Sequence, residues 1–115
     1  MDTEAAQTMI SERTIREAVE RIVSTAKPSK VILFGSHARG DAQADSDLDF
    51  LVIEPEVVDR GAEMVRLRRA VGDIGKGVDI LVYSASEVEQ RKDWCTSALY
   101  WALREGRVVY DSAVQ

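Results

Sequence analysis

The most constraining feature of this sequence is the apolar run Leu48–Ile53, which Asp49 alone interrupts. Strands of a sheet with one wet face alternate apolar and polar side chains, and this run is too continuously apolar for that pattern. Pro55 stops the run, because proline cannot donate a hydrogen bond to a neighbouring strand. We therefore predict a buried strand over Asp47–Glu54.

Two further apolar runs have the flanks of buried strands. The run Val31–Phe34 lies between Pro28 and Gly35, and its length and flanks favour a strand over a helix. The run Gly77–Tyr83 holds one charge, Asp79, inside an otherwise apolar stretch. A buried charge needs a physical reason, so Asp79 is a candidate functional residue.

Helices are predicted where apolar residues recur at three- and four-residue steps. They cover Ser11–Ala26, Val57–Ile74 and Cys95–Leu103, with a further helix announced by overlapping capping boxes that begin at Ser84 and Ser86. A short helical turn and a loop are expected between Gly35 and Ser46. The first ten residues are expected to fray, and Arg107–Tyr110 is either an edge strand or a tail. This mixture of strands and helices indicates an α/β fold.

Composition narrows the class of protein. The 115 residues suit one domain, 1–115, and a net charge of -5 argues against a broad basic surface for DNA. The single Cys95 excludes an intrachain disulfide, and with the lone His37 it is too little for a structural zinc site. No apolar run is long enough to cross a bilayer, and the acidic start is unlike a signal peptide. We expect an unprocessed, soluble protein of the cytoplasm with no membrane partner.

A glycine–serine pair directly follows the first predicted strand. Gly35 permits a sharp turn and a close approach of the backbone to a ligand. Ser36 begins a helical turn whose N–H groups and positive dipole end favour phosphate. The pair is therefore half of a triphosphate cradle.

Two aspartates follow this pair at the start of the next strand. Asp47 and Asp49 are two residues apart, so their side chains project from the same face of a strand. Two adjacent carboxylates repel unless a cation lies between them, and Mg²⁺ prefers such oxygen ligands. Asp79 on the next buried strand is a candidate third ligand, although a residue near a strand end can instead cap a turn.

The segment GSHARGDAQADSDLDFLV, with the later VDILVY, resembles the minimal nucleotidyltransferase family of the DNA polymerase β-like superfamily. The resemblance covers roughly Val31–Tyr83. It implies a polymerase β-like nucleotidyltransferase fold, with a small mixed sheet of about three or four strands and helices packed chiefly on one face.

The resemblance also implies roles for these residues. In this family the glycine–serine pair, here Gly35 and Ser36, contacts the nucleotide phosphates. The paired aspartates, here Asp47 and Asp49, bind two Mg²⁺ ions, and a third, here Asp79, joins the metal near the attacking hydroxyl. The implied reaction is nucleotidyl transfer, in which a hydroxyl attacks the α-phosphorus of a nucleoside triphosphate and pyrophosphate departs.

Family members of this size commonly act as antitoxins, encoded beside a ribonuclease toxin with an all-helical HEPN domain. The resemblance therefore implies transfer of AMP from ATP to a toxin tyrosine, within a hetero-oligomer of the two proteins. A complete site without a second domain agrees with an acceptor that comes from elsewhere. Two alternatives stay open: neutralisation of the partner by contact alone, and adenylylation of a small molecule.

Several polar residues near the motif have two interpretations. Arg39 either neutralises a triphosphate or pairs with a loop aspartate. Ser46 is expected to orient the loop before Asp47, beside the nucleotide. We interpret His37 as an exposed residue of the helical turn and Asp45 as a solvated loop residue.

Two surface features are expected outside the motif. Arg66, Arg68 and Arg69 are interpreted as a solvated face or a contact with a protein partner, because the chain is acidic overall. The aromatic residues Trp94, Tyr100 and Trp101 fall off the apolar stripe of the last helix. Exposed aromatic residues suggest an interface more than a platform for stacking bases.

Overall fold

The structure, a computed structural model, describes residues 3–43, 46–94 and 97–114, with side chains from residue 12 onward. The helices are α1 (Thr3–Ala26), α2 (Ser36–Arg39), α3 (Arg60–Val71), α4 (Ala85–Arg91) and α5 (Ala98–Glu105). The strands are β1 (Lys30–Phe34), β2 (Leu48–Glu54), β3 (Val78–Ser84) and β4 (Arg107–Asp111), followed by a 3₁₀ turn, Ser112–Val114.

The described strands form one mixed sheet in the order β3-β2-β1-β4. Strand β1 pairs antiparallel with both β2 and β4, whereas β2 and β3 are parallel. The continuously apolar strand is therefore internal, as its composition predicts. Arg107–Asp111 is an edge strand, which decides between the two interpretations of that segment.

Helices cover both faces of the sheet. Phe50 of β2 packs in a core with residues of α1 and α3, and the next residue, Leu51, packs with residues of α4 and α5 on the other face. The longer helices, α1 and α3, share one face, and α4 and α5 cover the other. The predicted α/β class with a small mixed sheet is confirmed.

The N-terminal helix is longer than predicted. It begins at Thr3 instead of fraying over the first ten residues, because this stretch is rich in good helix formers such as Ala, Glu, Gln and Met. The helix ends where expected: Lys27 has φ +50°, and Pro28 disfavours helical geometry in the residue before it. No helix in the described part of the chain is long and apolar enough to cross a membrane.

Helices α4 and α5 each begin directly after a serine that caps the helix N-terminus. Ser84 forms the predicted capping box with Glu87 and starts α4, so the overlapping box at Ser86 is not used. The last helix begins at Ala98, where the Ser97 side chain accepts a hydrogen bond from the Tyr100 N–H. Cys95, where we predicted that start, lies outside the described residues, as does Asp45.

Glu54 at the end of β2 is a buried acid. Glu54 is 6% exposed, and its Oε2 atom has no hydrogen-bond partner among the described residues. Burial, and then the neighbouring Glu63 carboxylate, raise the pKa of Glu54 to about 7. Arg66, whose Nε lies 2.7 Å from Glu63 Oε1, lowers the pKa of Glu63. The proton is therefore held more tightly by Glu54 than by Glu63.

We expect Glu54→Gln to raise the melting temperature by roughly 3–5 °C at pH 8. An acid whose folded pKa is raised from 4.5 to about 7 destabilises the fold progressively as pH rises through that window. The neutral amide avoids this loss, so the advantage should shrink towards pH 5. Thermal unfolding between pH 5 and 8 measures the effect, with Glu56→Gln as the exposed control. A lower melting temperature for Glu54→Gln at pH 8 would mean that the charged form is stabilised instead.

Candidate active site

Strand β1 ends at a glycine that the local geometry requires. Gly35 has φ +76°, a backbone conformation that residues with a Cβ rarely adopt. The antiparallel register places the preceding residue, Phe34, opposite Asp49, and a Cβ on Gly35 would collide with Oδ2 of Asp49. Glycine thus provides both the turn and the space for a carboxylate.

The helical turn after Gly35 is the predicted one. The N–H groups of Ala38 and Arg39 donate to the Gly35 carbonyl at 3.1 and 3.0 Å, and Gly40, with φ +84°, ends the turn. Ser36 is the first residue of the turn. Its N–H group lies before that of Ala38, which is the first to donate within the turn. The turn therefore begins beside Asp49, where a phosphate group would meet both backbone donors and the carboxylate site.

The three predicted aspartates come from two neighbouring strands. The parallel register of β2 and β3 sets Asp49 directly beside Asp79, and Asp47 immediately precedes β2. Burial raises the pKa of Asp49, and the carboxylates of Asp79 and Asp47 raise it further, while His37 opposes them. Asp49 is thus under repulsion from two negative charges. Asp79 is a strand residue facing the site, so a turn-capping role does not apply to it.

The chemistry of the three carboxylates suits a divalent cation, but their placement does not by itself form a binding group. No group of three or more Asp, Glu, His or Cys side chains within the described residues is placed to hold a metal ion. The donors are nevertheless oxygen atoms only, which Mg²⁺ and similar hard cations prefer. A cation between them would relieve the repulsion on Asp49. Asp47, Asp49 and Asp79 are the side chains that would hold it.

Sequence reasoning missed two residues that shape this site. Gly77 precedes β3 beside Asp47, and a Cβ there would collide with Asp47 Oδ1. The sequence predicted Gly77 as the start of a strand run, and the structure shows that it also leaves space for a carboxylate. His37 is half-buried, not exposed, and its Nε2–H donates to the Ser46 carbonyl at 3.1 Å. His37 thereby ties the loop before Asp47 to α2. A prediction that the strands of Asp49 and Asp79 pair in parallel would have pointed to Gly77 as a neighbour of Asp47.

Arg39 and Ser46 are engaged within the protein. Arg39 Nε lies 3.3 Å from Asp41 Oδ2, and Arg39 Nη1 lies 3.4 Å from Glu105 Oε2. The predicted pairing of Arg39 with a loop aspartate is therefore present. Ser46 Oγ accepts a hydrogen bond from the Gln43 N–H at 2.8 Å and shapes the loop. Contact of either residue with a nucleotide stays a prediction.

An open cavity of about 470 Å³ adjoins the carboxylates. Asp49 and Asp79 line it together with Phe34 of β1, Ala98 of α5 and Arg68 of α3. Its volume is in the range of small-molecule sites. Asp49 and Asp79 therefore border a space large enough for a small-molecule ligand.

A family model described as "Nucleotidyltransferase domain" matches residues 12–105. The match spans the Gly35 turn and all three aspartates. The chain belongs to the nucleotidyltransferase domain family. The transferase class predicted from the motif is confirmed, and members of this family generally use a nucleoside triphosphate and a divalent metal.

Two similar proteins agree with this assignment. A "putative protein adenylyltransferase" of Methanocaldococcus jannaschii is 31% identical over 104 residues, which are 89% of this chain and 100% of that protein. The crystal structure of a "putative nucleotidyltransferase" from Sulfolobus solfataricus has a TM-score of 0.68 at 20% identity, over 98% of this chain and 91% of that one. The structural match shows the fold, which is the polymerase β-like nucleotidyltransferase fold.

Proposed function

We propose that this nucleotidyltransferase transfers AMP from ATP to a hydroxyl of a partner protein, with Mg²⁺ as the metal. The observation that carries the proposal is the pairing of Asp49 with Asp79 directly beside the Gly35 turn. This pairing supports a site in which backbone N–H groups would bind phosphate and the carboxylates would bind a metal. The partner that we propose is a HEPN-domain toxin with an acceptor tyrosine, bound in a hetero-oligomer for which this chain is the antitoxin, of the minimal nucleotidyltransferase type.

The geometry suits direct displacement at the α-phosphorus. The acceptor oxygen forms the new bond to phosphorus as the bond to pyrophosphate breaks, and the hydroxyl proton passes to the Asp79 carboxylate. Gly35 and Ser36 hold the phosphates by backbone N–H groups. Asp47, Asp49 and Asp79 would hold a divalent cation, which would supply positive charge for the phosphate oxygens. Positioning and charge are sufficient, so a covalent protein nucleophile is not required.

The choice of a protein acceptor has two supports. The relative from Methanocaldococcus jannaschii carries the name of a protein adenylyltransferase and matches along its full length. The cavity is open to solvent, and its lining includes Asp79 of β3, Arg68 of α3 and Ala98 at the start of α5. An acceptor side chain on a protein surface could reach Asp79 through this cavity.

Nucleotide binding is tested by thermal unfolding. We expect saturating Mg-ATP to raise the melting temperature by about 5 °C or more, because a ligand that binds only the folded state stabilises it by mass action. ATP with a chelator in place of Mg²⁺ is the matched control and should give a smaller shift. An unchanged melting temperature with Mg-ATP would contradict the nucleotide site.

Acceptor identity is tested by incubation of the protein with its candidate HEPN partner and α-labelled ATP. We expect the label on a partner tyrosine, mapped by mass spectrometry, and loss of the partner's ribonuclease activity. Inhibition of the partner without any label would favour neutralisation by contact. Label on an added small hydroxyl compound but not on the partner would favour a small-molecule acceptor. Either of these results would overturn the proposed acceptor.

A further inference from the structure

Helix α5 forms a wall beside the candidate active site. At its start, Ala98 lines the same cavity as Asp49 and Asp79. At its end, Glu105 accepts a hydrogen bond from Arg39 Nη1 at 3.4 Å, and Arg39 is the last residue of α2. The helix therefore extends from the carboxylates to the turn that follows Gly35.

Trp101 lies on this side of α5. It is three residues after Ala98 and four before Glu105, spacings that place helix side chains next to one another. The side chain is 50% exposed, although the adjacent residues Leu99 and Ala102 are buried against the sheet. A large, half-exposed aromatic surface therefore lies on the same side of α5 as Ala98 and Glu105.

The Trp101 ring is supported from its own helix. The Tyr100 ring meets it edge to face, with centroids 5.1 Å apart and an interplanar angle of 88°. Arg104 in turn lies 4.6 Å from the Tyr100 ring centroid. An edge-to-face contact orders an indole while leaving part of its surface available for stacking.

The other exposed tryptophan differs in its surroundings. Trp94 precedes α5 and is 57% exposed, but the Arg91 guanidinium lies 5.5 Å from its ring centroid. That cation already occupies a face of the Trp94 ring. Of the two indoles, Trp101 is therefore the one placed to accept a planar ligand.

We propose that Trp101 stacks on the base of the bound nucleoside triphosphate. The inference rests on the proposed function, which places the phosphates between the Gly35 turn and the three aspartates. A base that extends from these phosphates towards α5 would meet the exposed ring of Trp101. Every base has a π-face, so Trp101 contributes affinity with little preference among bases. This assignment replaces the interpretation of Trp101 as an interface residue alone.

Single-tryptophan variants test the assignment. The chain has two tryptophans, so Trp94→Phe leaves Trp101 as the only indole and Trp101→Phe leaves Trp94. Each variant is titrated with Mg-ATP and with Mg-tripolyphosphate, which offers phosphates but no base. We expect saturable quenching of Trp94→Phe by ATP and not by tripolyphosphate, with no change in Trp101→Phe. We also expect Trp101→Ala to weaken ATP binding about tenfold without weakening tripolyphosphate binding.

Several results would overturn the stacking assignment. ATP that stabilises Trp94→Phe in thermal unfolding without changing its emission would show that the base lies elsewhere. Equal quenching by tripolyphosphate would show a response to phosphate alone, and emission that changes only with a partner protein would assign Trp101 to that interface. Absence of any thermal shift with either ligand in the wild-type protein would overturn the proposed nucleotide site itself, and the stacking assignment with it.

Discussion

Asp49→Asn is expected to lower the rate of AMP transfer by at least about 100-fold while leaving the melting temperature unchanged or higher. Burial and the two neighbouring carboxylates raise the pKa of Asp49, so its charged form is disfavoured. Replacing it with a neutral amide removes that repulsion and also removes a ligand for the metal. Transfer of label from α-labelled ATP and thermal unfolding without metal measure the two effects.

Asp47→Asn and Asp79→Asn should show the same loss of transfer, because their carboxylates complete the site. A suitable control is Asp111→Asn on β4, which removes the same charge but lies beside Lys30 at the opposite end of β1. Its exposed ion pair contributes little to stability, so both activity and melting temperature should stay near wild type. Undiminished transfer by Asp49→Asn or Asp79→Asn would show that the catalytic assignment is wrong.

Gly77→Ala is expected to lower kcat/KM for transfer by about 10- to 100-fold with little change in stability. The new Cβ would meet the Asp47 carboxyl group, the far end of a flexible side chain. The side chain can rotate away at small cost to the fold, but Asp47 then leaves the position from which it would hold the metal. Steady-state kinetics at varied Mg²⁺ should show that a higher metal concentration is required.

Gly75→Ala is the control for Gly77→Ala, with the opposite expected result. Gly75 has φ +80°, and no described atom lies within 4 Å of a Cβ placed there. Alanine at a positive φ costs about 1 kcal/mol or more, so the melting temperature should fall. Activity at a temperature well below unfolding should stay near wild type. Equal loss of activity in the two variants would contradict a specific role of Gly77 beside Asp47.

Much of the site was predictable because its signals are local. Gly35 and Ser36 directly follow a strand, and Asp47 and Asp49 occupy alternate positions at the start of the next one. The apolar composition of β2 predicted an internal strand, and the structure places it between β1 and β3. Such patterns depend on neighbours along the chain, which the sequence displays directly.

Helix boundaries were less predictable. The N-terminal helix begins earlier than its apolar stripe, since a stretch of good helix formers continues it to Thr3. The last helix begins only at its cap, Ser97, although apolar spacing pointed to an earlier start. Periodicity shows which face of a helix is buried, but not how far the backbone continues beyond the core.

The strands, the glycine–serine turn and the three aspartates could be assigned from residue type and spacing, because these specify structure over short distances. The three-dimensional fold was needed to show that Asp79 lies beside Asp49, that Gly77 leaves space for Asp47 and that Ala98 of α5 lines the same cavity as Asp49. These relations depend on the register of parallel strands joined by a helix, and on the packing of α5 across the sheet. Both arise from contacts between residues far apart in the chain, which residue spacing does not encode.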